Sequence, residues 1–489
     1  MHTVHTSKSA LVRARLSHPV IDCDGHTIEH DPAFLEHLNR VAGAAVCGRY
    51  LRRRAQGSWL RWYHMSWAER HAHRAIRPPW WRVPTSDTLD WATFVLPKLR
   101  YERMQEMGFD FAVLYPTYSL SFPHIPDEEL RRACCRAYNA CQADIFGAFQ
   151  DRLAPAALIP MHTPQEAVEE LDFAVKELKL KCVMLAGHVQ RPVAAVARQH
   201  PEAQHSAVWL DTFGLDSEYD YDPVWAKCTE LKVAPTFHSA GLAWGSRTSI
   251  SNYMYNHLGH FAAAGEAVCK ALIMGGVVRR FPHLRFAFLE GGVAWACALF
   301  SDMVAHWLKR NRHVINRCNP ANLDREQLQE LCRRYGGAFA ADYEQLAGIM
   351  GQVERAQHEP AALDDWAAAV ERSENIRDFF TRNLYFGCEA DDPLNALAFN
   401  TKLNPFGARL NAIFSSDVGH WDVQDITAVV AEAFELVEQG LLTKEDFRDL
   451  VFTNPVKLLT GGNPAFFQGT ALEQAVGGLP PAVTVASST

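Results

Sequence analysis

Eight short apolar runs, separated by amphipathic helical stretches, constrain this chain more than any other feature of its sequence. The runs are Val20–Cys23, Phe109–Leu114, Leu153–Ile159, Lys181–Leu185, Val233–Phe237, Leu284–Leu289, Asn383–Phe386 and Ala412–Ser415. The clearest helical stretches between them are Asp127–Phe149, Pro164–Leu178, Ala262–Arg280 and Ala294–Arg312. This alternation predicts βαβ units and a parallel sheet, and eight strands predict closure into a (β/α)8 TIM barrel. A doubly wound open sheet is the alternative, but no G-x-G-x-x-G follows the first strand.

Size and charge fit a single enzyme domain of this kind. The chain has 489 residues, of which 48% are hydrophobic and 21% are charged. A barrel with insertions reaches this length as one catalytic unit. The formal net charge of −8 argues against nucleic-acid binding, which depends on neutralising phosphates with Lys and Arg. A small-molecule substrate is the better expectation.

Two stretches interrupt the alternation of strands and helices. We predict one catalytic domain at 20–466, with insertions at about 30–88, after the first strand, and at 319–377, before the seventh. An extension at 1–19 precedes the domain, and a poorly ordered tail at 467–489 follows it. The second insertion is polar and helical in pattern, typical of a subdomain or an oligomer contact. The first is rich in Arg and contains Trp59, Trp62, Trp67, Trp80 and Trp81.

The Trp/Arg-rich insertion has two interpretations. Basic and aromatic residues together are typical of a nucleic-acid surface, whereas a barrel insertion can also pack its aromatic rings over the barrel mouth. The acidic total favours packing over the mouth, where the rings would line a substrate site.

Cysteine usage and hydropathy bear on the compartment. The 12 cysteines include no C-x-x-C pair and are scattered through apolar stretches, as expected of free thiols in a reducing compartment. The N-terminal stretch lacks the apolar segment of a signal peptide, and no run of about 18 apolar residues occurs. We therefore expect a cytoplasmic enzyme without membrane or nucleic-acid partners. We also expect it to form a homo-oligomer, a dimer.

Metal-binding residue types recur just past the predicted strands. Asp24 and His26 end the first strand, His238 follows the fifth, Glu290 follows the sixth and Asp417 follows the eighth. Residues i and i+2 of a strand point to the same side, and the carboxyl ends of barrel strands share one mouth. Each residue alone has a structural explanation, such as a turn, a satisfied histidine or a helix cap. Together they predict a divalent-metal site with mixed oxygen and nitrogen donors.

The same segments resemble the amidohydrolase superfamily, in the branch that includes aminocarboxymuconate-semialdehyde decarboxylase. The resemblance runs from Val20 to about Leu459, apart from the two insertions. The matching segments are VIDCDGHTIE, MGFDFAVLYPT, CRAYNA, DRLAPAALIPMHTPQEAVEEL, YDPVWAKCTELKVAPTFHSAG, RFPHLRFAFLEGG, LYFGCE and IFSSDVGHWD.

This resemblance implies roles for individual residues. The H-x-H motif of the family reads Asp24-Gly-His26 here, so an aspartate replaces its first metal ligand. His238 matches the metal histidine of strand five, and Asp417 matches the aspartate that binds metal and accepts a proton. Glu290 stands where the decarboxylases carry a catalytic histidine. No lysine ends strand four, which implies a single ion, with Zn2+ or Mn2+ expected.

The main functional hypothesis is a metal-dependent hydrolase that cleaves a C–N, C–O or C–C bond of a small, aromatic substrate with activated water. Asp417 would accept the proton of this water, and Glu290 would be a further ligand or acid–base group. Substrate contacts are expected among His188, Arg247, His257, His260 and His420. A structural role is at least as open for each of the four histidines, and a solvated surface position is favoured for Arg247.

Two alternatives to the hydrolase remain. The first is a metal-dependent, non-oxidative decarboxylase, and the second is a barrel that has lost catalysis and acts as a binding protein. Hydrolysis is preferred over decarboxylation because Glu290 adds negative charge where the resembling decarboxylases have a histidine, which can donate a proton near pH 7.

Overall fold

The structure is a computed structural model that describes residues 7–56, 58–79, 87–238, 244–319, 322–338 and 364–479. Its strands are β1 (Ile21–Thr27), β2 (Phe111–Pro116), β3 (Leu153–Ile159), β4 (Cys182–Leu185), β5 (Val189–Pro192), β6 (Val208–Asp211), β7 (Pro235–Phe237), β8 (Phe286–Phe288), β9 (Leu384–Cys388) and β10 (Asn411–Phe414).

Eight of these strands form one parallel sheet in the order β1-β2-β3-β4-β7-β8-β9-β10. Two backbone hydrogen bonds join β1 to the residues just past β10: Asp417 N–H donates to the Asp24 carbonyl at 2.9 Å, and His26 N–H donates to the Val418 carbonyl at 2.8 Å. These bonds close the sheet at its carboxyl end. The predicted (β/α)8 barrel is confirmed.

Every residue of the eight barrel strands is buried. Helices cover the outer face of a parallel barrel and side chains fill its interior, so neither face of a strand meets water. The strands therefore read as continuous apolar runs, and β3 has the predicted bounds, Leu153–Ile159.

Helices flank the strands throughout the described ranges. The α-helices are Lys8–Arg13, Asp31–Gln56, Ser58–His64, Trp67–Ala72, Thr88–Val95, Pro97–Met107, Glu128–Phe146, Pro164–Asp172, Ala194–Gln199, Asp222–Leu231, Tyr253–His257, His260–Met274, Val277–Arg280, Ala294–Arg310, Arg325–Tyr335, Ser373–Asp378, Val429–Glu438, Lys444–Arg448, Asn454–Thr460 and Glu473–Gly477. Among the described helices, none combines the length and apolar character needed to cross a bilayer.

An antiparallel hairpin of β5 and β6, absent from the predicted strands, follows β4. Its strands have only four residues each, and β5 contains Arg191 and Pro192, so the sequence lacks a strong strand pattern. A buried ion pair supports the hairpin, because Arg191 Nε donates to Asp211 Oδ2 at 2.8 Å. The pairing of Arg191 with Asp211 offsets the cost of burying the two charges, and hydrophobic periodicity does not reveal such a partner.

The Trp/Arg-rich insertion is helical and packs beside the barrel mouth. Its Trp62 is buried, lies 3.7 Å from the Arg70 guanidinium, and donates to the Ala75 carbonyl. Arg77 of the same insertion bonds through N–H to the Ser249 carbonyl at 3.0 Å, in the segment after β7. Trp67 is 61% exposed, whereas Trp80, Trp81 and the Trp59 side chain lie outside the described residues. That the rings line a substrate site stays a prediction.

The second insertion is described only in part. Within it, the helix Arg325–Tyr335 is largely exposed, whereas Trp366 and Val370 pack into the core. Residues 339–363 lie outside the described ranges.

The prediction of a poorly ordered tail at 467–489 is wrong for residues 467–479. Phe466 and Phe467 are buried against Phe111, with the Phe467 and Phe111 ring centroids 5.3 Å apart, and Leu472 is 1% exposed. The helix Glu473–Gly477 follows. Burial of these apolar side chains outweighs the Gly-rich composition of the segment. Residues 480–489 lie outside the described part.

Candidate metal centre at the barrel mouth

β1 carries the first two predicted metal ligands. Asp24 and His26 are fully buried, and Asp24 Oδ1 lies 3.4 Å from His26 Nε2. The pairing of β1 with β2 shifts register between Asp22 and Gly25. Such a bulge re-aims the side chains that follow it, and here both side chains point to the closing seam of the barrel.

A hydrogen bond fixes the tautomer of the neutral His26 ring. Its Nδ1 lies 2.8 Å from the Pro116 carbonyl, an acceptor only, so Nδ1 carries the hydrogen. Its Nε2 lone pair then faces carboxylate oxygens, at 3.4 Å from Asp24 and 3.2 Å from Asp417. These contacts bring three acceptors together, so either a proton on Nε2 or a bound cation must lie between them. Burial lowers the pKa of His26, but the two carboxylates outweigh it and raise that pKa to about 10.

Glu290 and Asp417 follow β8 and β10 with strained backbones. Their φ angles are 57° and 51°, in the left-handed region that non-glycine residues seldom adopt. Such strain costs about 1–3 kcal/mol and is concentrated at functional sites. It brings Glu290 Oε2 to 2.9 Å from His238 Nε2, and Asp417 Oδ1 to 2.7 Å from His420 Nδ1.

Two overlapping groups of donor atoms meet at this point, and His26 belongs to both. In each group the ligand atoms lie within 4.8 Å of one another: one contains His26, Glu290, Asp417 and His420, and the other contains Asp24, His26 and His238. Neither buried carboxylate oxygen of Asp24 accepts a hydrogen bond from a described residue. Imidazole nitrogens and unpaired carboxylate oxygens are donors that Zn2+ and Mn2+ accept. The cluster suits one divalent ion.

Negative charge is in excess around the cluster. Burial, and then the neighbouring carboxylates of Asp417 and Asp24, raise the pKa of Glu290 well above its ordinary value. Burial and Asp417 likewise raise the pKa of Glu389, which follows β9, to about 8. A bound cation would relieve this repulsion.

A second layer of buried polar residues, Asp22, Arg100 and Ser416, contacts the backbone that carries the candidate ligands. Asp22 accepts hydrogen bonds from Ser416 N–H at 3.0 Å and from Ser416 Oγ at 2.7 Å. Arg100, 1% exposed, donates to the His26 carbonyl. A Cβ atom at Gly25 would lie 2.6 Å from both the Arg100 Nη2 and the Asp22 Oδ2 atoms, so only glycine leaves room for this layer. Sequence reasoning missed it, although Asp22 stands in the same motif as Asp24.

The residues predicted to contact substrate occupy different places. His420 joins the cluster itself. His188 and His260 are buried. The centroid of the His188 ring lies 5.1 Å from that of His124, a residue that the sequence analysis did not identify as a candidate. His257 is partly exposed, with Nε2 3.8 Å from Asp422 Oδ2.

Arg247 contacts the loop backbone, because its Nε donates to the Leu258 carbonyl at 3.3 Å. This contact holds the loop before the helix His260–Met274, and the expected contact of Arg247 with substrate stays a prediction.

Comparison with known protein families identifies the family of the chain. The amidohydrolase family model matches residues 21–321, more than half of the chain. The chain belongs to the amidohydrolase family. The resemblance inferred from the strand-end motifs is thereby confirmed, and the match covers β1 to β8 of this amidohydrolase.

Solved structures resemble this amidohydrolase over nearly its full length. A 2,6-dihydroxybenzoate decarboxylase from Rhizobium has a TM-score of 0.50 at 14% identity, over 91% of this chain and 99% of that chain. A dihydroxybenzoic acid decarboxylase from Polaromonas sp. JS666, with bound manganese and the inhibitor 2-nitroresorcinol, also has a TM-score of 0.50 at 14% identity, over 91% and 97%. These likenesses confirm the barrel fold.

Proposed function

We propose that this amidohydrolase is a metal-dependent, non-oxidative decarboxylase of a small aromatic carboxylic acid. The convergence of buried imidazoles and carboxylates from β1, β7, β8 and β10 on one point carries the metal dependence. The choice of reaction draws support from the two barrels of similar fold, both decarboxylases of dihydroxybenzoic acids. The sequence-based preference for hydrolysis is therefore reversed in this proposal.

In this proposal Asp24, His26, His238 and Asp417 hold the ion, and Glu290 or His420 completes the set. When bound, a divalent ion would offset the negative charge of the cluster and orient the oxygen atoms of an acidic substrate. Because His26 is held by the Pro116 carbonyl, its Nε2 is presented without reorganisation. The Zn2+ or Mn2+ expected from the sequence fits this donor set.

The reaction breaks the bond between a ring carbon and its carboxyl group. The bonding electron pair stays on the ring carbon, carbon dioxide leaves, and one proton from the protein replaces the carboxyl group. Glu290 is positioned for this proton transfer, because its Oε1 lies 4.0 Å from His420 Nδ1 and its Oε2 contacts His238. His420 in turn contacts Asp417, which supplies a chain of groups that can return a proton to Glu290.

Labelled water tests the reaction. The Mn2+-loaded protein is incubated with mono- and dihydroxybenzoates in deuterated, 18O-labelled water. We expect carbon dioxide release, one deuterium on the ring carbon and no 18O in the aromatic product. The Asp417→Asn variant is the matched control, because it keeps the shape of the side chain but cannot take a proton. Consumption of substrate without carbon dioxide would contradict decarboxylation.

Hydrolysis is the second candidate, and Glu290 favours it. A carboxylate beside the metal ligands can accept a proton from attacking water, as Asp417 can. Esters and amides of aromatic acids in the same labelled water would then yield products that contain solvent 18O. A barrel that only binds ligands would bind the metal and turn over neither class.

We infer that residues 20–466 act as one catalytic domain, with the two insertions at its surface. A cytoplasmic location and a homodimer stay predictions.

A further inference from the structure

A second group of imidazoles lies at the barrel mouth, on the loops after β2, β4 and β7, and of these strands only β7 also supplies a proposed metal ligand, His238. His124 ends the 3-10 helix Ser119–His124 after β2, and His188 follows β4. His260 begins the helix His260–Met274 after β7. Because these strands are parallel, the three loops emerge at the same end of the barrel as the metal centre.

Aromatic rings surround this group. The His124 and His188 ring centroids are 5.1 Å apart, and His188 is also 5.1 Å from the Trp244 ring. Phe261, next to His260, lies 5.6 Å from the ring of the metal-centre residue His238. In addition, Leu185 of β4 pairs directly with Phe237 of β7, the residue before His238. The histidine group therefore adjoins the metal centre.

Two ring nitrogens of this group have no hydrogen-bond partner among the described residues. They are His124 Nε2 and His188 Nδ1, and both are buried. Leaving a buried polar atom unsatisfied costs about 1–3 kcal/mol, so folded proteins usually supply a partner. Two such atoms in adjacent rings at an active-site mouth are suited to a ligand group.

These rings are uncharged near neutral pH. Burial lowers the pKa of His124 to about 4, and burial, with the neighbouring His124 and His260, holds the pKa of His188 well below its ordinary value. A neutral imidazole has one N–H donor and one lone-pair acceptor. It therefore matches a hydroxyl group, which both donates and accepts, better than a carboxylate, which only accepts.

We propose that His124 and His188 form a subsite for a ring hydroxyl of an aromatic substrate whose reactive group lies at the metal centre, and that Trp244 contributes to the wall of this subsite. The proposal rests on the proposed function for its substrate class. It makes the two histidines determinants of specificity rather than catalytic residues.

Binding of matched ligands tests the subsite without requiring turnover. The probes are benzoate and its 2-, 3- and 4-hydroxy derivatives, titrated into Mn2+-loaded protein by calorimetry. We expect at least one hydroxybenzoate to bind about tenfold more tightly than benzoate, the effect of one or two net hydrogen bonds. In the His188→Phe and His124→Phe variants this ratio should fall to about one, while the affinity for benzoate and the manganese content change less than about threefold.

Two further variants serve as controls: one keeps hydrogen-bonding groups at position 188, and the other replaces an exposed histidine outside the subsite with phenylalanine. His188→Asn retains a side-chain donor and acceptor in a smaller volume and should keep part of the preference. His200→Phe changes an imidazole that is 64% exposed on the loop between β5 and β6, and should leave the ratio unchanged.

The subsite is refuted if no hydroxybenzoate binds more tightly than benzoate, or if both phenylalanine variants keep the preference. Carbon dioxide release without a hydroxyl preference would overturn the subsite and leave the proposed function intact. A histidine-dependent preference without any carbon dioxide release would overturn the proposed function instead.

Discussion

Replacing Arg100 with methionine removes the buried cation beneath the metal centre. Asp22 and Arg100 are 0% and 1% exposed, and Asp22 is tied to Ser416 at the end of β10. Methionine fills much of the same volume but leaves the Asp22 carboxylate without its buried counter-charge. Asp22 and Arg100 attract each other through their charges without a direct salt bridge, so the loss should lie at or below the lower end of the about 3–5 kcal/mol that breaking a buried ion pair costs. Since domains have about 5–15 kcal/mol of stability in total, the loss is large.

Urea-induced unfolding in the presence of a chelator measures this loss without a contribution from bound metal. Arg40→Met is the matched control, because Arg40 is 60% exposed and pairs with Glu36 on the same helix. Exposed pairs contribute only about 0–1 kcal/mol. The double variant Asp22→Asn, Arg100→Met has no uncompensated charge and should recover most of the stability that Arg100→Met loses.

The Arg100→Met variant should also weaken Mn2+ binding, because the guanidinium donates to the His26 carbonyl and supports the β1 bulge. If the free energy of unfolding of Arg100→Met lies within about 1 kcal/mol of that of the unchanged protein, with the same dependence on urea concentration, the reasoning is refuted. It would mean that the closing seam does not depend on the buried pair.

Three further outcomes are expected. The protein purified without chelator should contain about one divalent ion per chain by elemental analysis, and His238→Ala should lose metal and activity together. Asp417→Asn should lower turnover by about 10²-fold or more with little change in the urea midpoint, since the amide cannot take a proton; near-normal turnover would exclude Asp417 as the acid–base group. In the folded protein the pKa of His124 is about 4, whereas a histidine in the unfolded chain has a pKa near 6.5. As the pH falls, the unfolded chain therefore binds this proton first. Stability should therefore fall between pH 6.5 and 4, and His124→Asn should flatten this slope, by at most about 1.4 kcal/mol per pH unit; an unchanged slope would contradict a buried neutral ring.

The sequence predicted the barrel because each strand is buried on both faces and gives a continuous apolar run, whereas each helix is buried on one face and repeats its apolar residues about every 3.6 positions. It also predicted that Asp24 and His26 act as a pair, because residues two apart on a strand share a side. Their 3.4 Å separation agrees. The positions of His238 and Asp417 followed from the rule that barrel strands end at a common mouth.

Local patterns did not reveal the hairpin of β5 and β6 or the packing of residues 467–479. Arg191 and Asp211 are charged, and their burial depends on each other. The tail is composed like a linker, but Phe467 and Leu472 find apolar partners on the barrel. In both cases the partner is distant in sequence, so no window along the chain contains the reason.

The tertiary structure alone decided how the site is completed. Closure of the barrel brings the ends of the sheet together, and Ser416 meets Asp22 across 394 positions of the chain. The same closure places Asp417 against His26 and turns Glu290 and Asp417 inward through left-handed backbone angles. Sequence determines which residue types end each strand. Only the curvature and closure of the sheet determine which of those ends come within ligand distance, because that distance depends on all eight strands at once.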